Sequence, residues 1–257
     1  MDQLLTILSP SLILAALVIA CVAGVIKGIV GFSMPTIILS GISTFTTPEI
    51  ALAGLLLPTL FTNAMQSFRF GRAELWAVIL RFRIFLLSGA FTIFAAAQLV
   101  PIIPTQTLLI VIGGAVTCFA FWQLSSFAPA PGQWSQKPLL EGGIGAFAGI
   151  VGGISGMWGP PTVAYLTAIG TEKRQQILAQ GVIYGLGAVL LVIAHIKSGI
   201  LNSATLPLSL ALLPSAMIGM WIGGRLSDRF DQAMFRRATL LVLIVSGLNL
   251  LRRGLVG

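Results

Sequence analysis

Apolar residues fill this chain in long blocks, at 11–41, 50–68, 84–100, 108–127, 144–169, 177–196, 206–226 and 238–251. A helix rises about 1.5 Å per residue and the hydrocarbon layer of a bilayer is about 30 Å thick, so most of these blocks predict a membrane-spanning helix. The first is too long for one simple crossing. The last is short, but Arg236, Arg237, Arg252 and Arg253 flank it and can reach the headgroups from both ends. The expected fold class is an all-α polytopic membrane protein.

Within the first block, residues 27–35 read KGIVGFSMP, a cation, two glycines and a proline where an unbroken helix would be expected. The stretch has a partner. AGVIKGIVGFSMP (23–35) aligns without a gap on AGIVGGISGMWGP (148–160), so that Ala23, Gly24, Gly28, Gly31 and Pro35 match Ala148, Gly149, Gly153, Gly156 and Pro160, 125 positions later. Further on, RFG at 69–71 echoes KSG at 197–199, and a Pro-rich polar linker, SSFAPAPGQWSQKP (125–138), lies between the copies. The chain is expected to form two membrane repeats, 1–127 and 128–257, within one integral transport domain. Each repeat would be a Gly/Pro-broken first hairpin followed by three transmembrane helices.

Lys and Arg decide the relative orientation of the repeats, because cytoplasmic loops carry their excess. If all eight blocks cross once, the two faces hold eight and six basic residues, Lys27 aside. If blocks 1 and 5 fold back at their breaks, one face holds Arg69, Arg72, Arg81, Arg83, Lys137, Lys173, Arg174, Arg225, Arg229, Arg236 and Arg237, and the other only Lys197, Arg252 and Arg253. The second arrangement has the expected bias. It makes the repeats inverted and puts both termini outside the cytoplasm; six crossings with two hairpins and ten short helices satisfy it equally.

Non-helical backbone at membrane depth survives only where protein or a water-filled cavity covers it, and paired interruptions in inverted repeats point to a transporter's binding site. Half-helices that begin at a break present free N–H groups and a positive dipole end, which favour an anion. Lys27 adds a full charge nearby, or else snorkels to the cytoplasmic face. A different reading makes Gly24, Gly28 and Gly31 a small-residue packing face. Neutral amides at Asn63, Gln66 and Gln180 can donate to an oxyanion or bind helix to helix.

Composition excludes several other classes. With 56% hydrophobic and 9% charged residues the chain is not an ordinary soluble domain. Its net charge of +8 resides mostly between apolar blocks and forms no aromatic-interleaved patch, so orientation in a bilayer explains it and nucleic acid is not an expected partner. Cys21 and Cys118 lie in apolar blocks without a cluster of His or carboxylates, which indicates neither a metal site nor a disulfide. Met-Asp opens the chain with no basic n-region, so no cleaved signal peptide is expected. No phosphate loop is present, and the carboxylates all fall near block ends, which argues against a buried proton relay. No cofactor is expected.

The glycine-rich first block, its repeat GGISGMWGPP, NAMQSFRFGRAEL at the end of the second block and the closing GMWIGGRLSDRFDQAMFRRATLLVLIVSGLNLL resemble the sulfite exporter TauE/SafE family over nearly the whole chain. The resemblance implies a bacterial inner-membrane carrier, without enzymatic activity, for sulfur-containing anions such as sulfite, thiosulfate and sulfoacetate. It also implies two related halves. By position, Gly28, Gly31, Ser33, Gly153, Gly156, Trp158 and Gly159 fall on the family's glycine-rich motifs. The expected substrate-binding set is Lys27, Gly31, Ser33, Asn63, Gln66, Gly156, Trp158, Gly159 and Gln180. A small anion and the lipid bilayer are the expected partners, and a homodimer is the habit of small carriers. Phe-Ser-Met before Pro35 departs from glycine-richer relatives and bears on which anion is carried.

A rival reading comes from another class. GISG at 153–156 matches the GxSG of rhomboid intramembrane proteases, with Ser155 as nucleophile and His195 as base. The 125-residue repeat already accounts for those glycines, and Val30 occupies the serine position in the first copy.

Overall fold

The computed structural model describes residues 8–97, 105–125, 137–155 and 159–256, and among these there are eleven helices and no strand. They are α1 (Pro10–Val30), α2 (Met34–Ile42), α3 (Pro48–Phe68), α4 (Arg72–Arg81), α5 (Arg83–Ala97), α6 (Thr105–Leu124), α7 (Pro138–Ser155), α8 (Gly159–Ala168), α9 (Lys173–Lys197), α10 (Leu206–Asp228) and α11 (Gln232–Val256). Five of them, α1, α3, α9, α10 and α11, are long and apolar enough to cross a membrane; α4 and α5, bent by 73° at their junction, would make a sixth. Leu87 and Phe91 on α5 are 72% and 76% exposed, as side chains facing lipid would be.

Two differences from the block pattern have plain causes. The last apolar block is short, yet its helix runs 25 residues because Arg236, Arg237, Arg252 and Arg253 are helix formers carried within it. Helix α4 carries polar residues at both ends, so no long apolar run marks it.

The helices pack into two compact units, Met1–Arg69 with Gly181–Asp231 and Phe70–Gln180 with Gln232–Gly257, so each unit draws on both parts of the sequence. In the first unit α1 and α10 run in the same direction and in one register. Ser215 Oγ donates to Leu17 O at 2.7 Å and Ser227 Oγ to Ile29 O at 2.9 Å. Between those bonds Gly24 and Gly28 of α1 lie directly on the backbone at Ala216 and Met220, and Gly219 and Gly223 of α10 lie on Cys21 and Val25. A Cβ at any of the four would overlap backbone atoms, so only glycine allows helices this close.

Helix α3 also runs parallel to α10. Pro58 deprives the Gly54 carbonyl of its helical donor, and Ser209 Oγ supplies one at 3.1 Å while accepting from Leu57 N at 3.1 Å. A core of Ala16, Ala20, Ala23, Met34, Ile38, Leu55, Leu208 and Leu212 fills the space between these helices.

The second unit repeats the close approach with other residues. Gly145 and Gly149 of α7 lie on the α5 backbone at Phe85 and Gly89, and Thr92 Oγ1 donates to Ala146 O at 3.0 Å. Glu141 is buried in the first turn of α7 and accepts from Phe85 N at 3.1 Å, so a carboxylate sits at the start of α5, where the helix dipole favours it. Helices α6 and α11 run antiparallel, Gly113 against Gly247 and Gln106 against Gly254. Helix α8 is buried over most of its surface, and Tyr165 stacks on Phe85 at 5.7 Å between ring centroids.

Candidate functional site: the break after α1

Helix α1 ends at Val30. Gly31, at φ 88°, takes the left-handed conformation that glycine adopts without steric cost, and its N–H bonds back to Lys27 O. Ser33, at φ 72°, is a non-glycine residue in the same region, a conformation that costs about 1–2 kcal/mol and collects at functional sites. Pro35 then occupies the first turn of α2, where its missing N–H removes no helical bond. Helix α2 turns back along α1, because Gly41 rests on the Ile19 side chain.

The two limbs are unequal. Twenty-one residues give α1 about 31 Å, close to a full hydrocarbon thickness, whereas nine give α2 about 13 Å. The hydrogen bond from Gln66 sets Gly31 level with the last turn of α3, one turn inside the Arg69–Asp228 ion pair (2.7 Å) that ties α3 to α10.

Against this break α3 presents two amides, three residues apart and so on one face. Gln66 Nε2 donates to Gly31 O at 3.0 Å, which satisfies a carbonyl at the broken end of α1. Lys27 Nζ donates to Asn63 Oδ1. Both amides are fully buried and Lys27 is 2% exposed, so Lys27 does not snorkel. Asn63 Nδ2 is a buried donor with no partner among the described residues. Ser67 Oγ donates to Asn63 O at 2.9 Å, and Gly181 and Gly185 of α9 pack behind Gln66, Ser67 and Asn63, fixing the far side of α3.

Burying an ammonium costs several kcal/mol unless charge and hydrogen bonds compensate it. Among the described residues no carboxylate lies within ion-pair distance of Lys27; its partner is a neutral amide whose own N–H group remains unused. Two donors, one cationic, thus sit side by side with a deficit of negative charge. Both groups are donors, which is the chemistry an oxyanion requires.

The structure brings Lys27, Gly31, Ser33, Asn63 and Gln66 together around one break, and it gives the glycines two jobs. Gly24 and Gly28 form the packing face, and Gly31 ends the helix. Gly159 opens α8 and is half-buried. Gln180 is fully buried at the edge of the second unit. Gly156 and Trp158 lie outside the described residues, as do 126–136 of the linker. His195, near the end of α9, has Ser198 Oγ 3.5 Å from its Nδ1, a neighbour within its own turn.

The family model described as sulfite exporter TauE/SafE matches residues 16–250, nearly the whole chain. No curated protein and no solved structure shows a significant match.

Proposed function

Since the chain belongs to the sulfite exporter TauE/SafE family, a family of transporters and not of enzymes, we propose that it exports a sulfur-containing oxyanion, such as sulfite, thiosulfate or sulfoacetate, across the bacterial inner membrane. Lys27 and Asn63 grip the anion, and Ser33, Gly31 and Gln66 shape the notch around it. The observation that carries the reading is the buried Lys27 ammonium, which has an amide beside it and no carboxylate among the described residues. Gly156, Trp158, Gly159 and Gln180 form the corresponding part of the second repeat.

Transport proceeds by alternating access between inverted repeats. Packing supports this: α1 lies along α10, and α7, its counterpart 125 residues on, lies along α5, the counterpart of α10. Gly24 and Gly149 occupy matching places in these two interfaces. Within the first unit α1, α3 and α10 run the same way, which collects Arg69, Arg225 and Arg229 at one end and leaves Lys197 at the other. That asymmetry fits a cytoplasmic face at the Arg69 end and termini outside the cytoplasm.

An anion leaving a negative cytoplasm gains about 2.3 kcal/mol per charge per 100 mV, so export runs downhill without a coupled ion. Among the described residues nothing favours the protease reading. Calorimetric titration of the purified protein with sulfite, thiosulfate, sulfoacetate, taurine and sulfate tests the proposal. Saturable binding of at least one sulfur oxyanion supports it, and heats no larger than buffer dilution for all five overturn it.

A further inference from the structure

The second unit holds a cavity of about 800 Å³ that uses none of the residues of the Lys27 notch. It opens where the turn after α8 and the first turn of α9 meet the first turns of α11. Gln232 joins the walls: its Oε1 accepts from Lys173 N at 2.8 Å and its Nε2 donates to Thr171 O at 3.2 Å. Four cationic side chains line it, Lys173, Arg174, Arg236 and Arg237, against one carboxylate in the wall, Glu172. Glu74 pairs with Arg174 at 3.1 Å, and the partner of Arg236 is neutral, Gln123 Oε1 at 2.6 Å, so positive charge remains in excess.

A second observation points to a ligand. Thr171 lines the same cavity, is 2% exposed, and its hydroxyl has no partner among the described residues. Leaving a buried hydroxyl without a partner is costly, and a ligand oxygen would recover that cost. The starts of two 25-residue helices, α9 and α11, add positive dipole ends at the same place.

Size sets the ligand class. Pockets of roughly 300–1,000 Å³ hold organic molecules, and a bare oxyanion of four or five atoms would leave most of this one empty. We infer that the cleft binds a phosphate group carried on a larger molecule, either the headgroup of an anionic phospholipid or a soluble phosphate ester. Basic pockets between membrane helices recognise lipid headgroups by the same chemistry.

Dihexanoylphosphatidylglycerol, dihexanoylphosphatidylcholine and glycerol 3-phosphate, titrated separately into the full-length protein in a neutral detergent, test the inference. Saturable binding of the phosphatidylglycerol and not of the phosphatidylcholine is expected, weakened on the order of tenfold to thirtyfold by Lys173→Gln with Arg237→Gln. The control pair Arg72→Gln with Arg252→Gln, at two exposed positions, should leave it unchanged. The same pattern with glycerol 3-phosphate alone also supports the site and makes its ligand soluble. Thr171→Val, which keeps shape and charge, should weaken binding about threefold to tenfold and serves if the double variant does not fold. No saturable binding of either anionic probe, equal binding of phosphatidylcholine, or equal weakening by the control pair overturns the inference.

Discussion

Lys27 on α1 and Asn63 on α3 are joined by a buried hydrogen bond that uses only half of the amide: Oδ1 accepts from Nζ, and Nδ2 remains a donor without a partner among the described residues. Under the proposed function an arriving oxyanion would accept from both nitrogens.

Asn63→Asp is the sharpest test of that geometry. The new carboxylate would sit on Lys27, supply the missing negative charge and occupy the notch from within. Thermal unfolding should show a protein at least as stable as the native one, while calorimetry should show anion affinity reduced at least tenfold. Retained affinity would place the anion elsewhere.

Ser33→Gly should move stability and binding in opposite directions. At φ 72° glycine relieves about 1 kcal/mol of backbone strain, and the substitution removes the hydroxyl to which the proposed function gives a part in binding. A higher unfolding midpoint with about threefold to tenfold weaker anion binding is expected. Unchanged affinity would remove Ser33 from the binding set.

Gly28→Ala should act on packing alone. Its methyl group would meet the α10 backbone at Met220 and Gly224, and neither helix can yield without losing the register set by Ser215 and Ser227. A loss of about 1–3 kcal/mol in reversible unfolding in mixed micelles is expected. Gly143, whose methyl group would meet nothing, provides the neutral comparison.

Ser209→Ala leaves the Gly54 carbonyl, released by Pro58, without its donor. Polar contacts between membrane helices average about 0.6 kcal/mol and reach about 1.7 kcal/mol, and a loss in that range is expected from the same unfolding assay. The anion affinity should not change.

Much of the candidate site could be read from the chain because its signals are local. Gly31 and Pro35 punctuate an apolar block, Lys27 stands out within it, and Asn63 and Gln66 are polar residues at helical spacing in the next helix. Which glycine packs and which one breaks the helix could not be read, because it depends on α10, nearly 200 residues away. The inequality of the two hairpin limbs was hidden as well, since only the pairing of Gly31 with Gln66 fixes the level of the break. Lys173, Arg174, Arg236 and Arg237 served in the sequence as markers of topology, and the last two also as headgroup anchors; the cavity they share arises when the starts of α9 and α11 meet.

The most direct measurement is flux in proteoliposomes loaded with sulfite, thiosulfate or sulfoacetate under an imposed potential, for the native protein and for Lys27→Met, which keeps the length of the side chain and removes its charge. The account predicts potential-driven efflux of at least one of these anions, reduced at least tenfold in the variant although the variant inserts and unfolds normally. Efflux of equal rate in both proteins, or none of any anion from the native one, would contradict it.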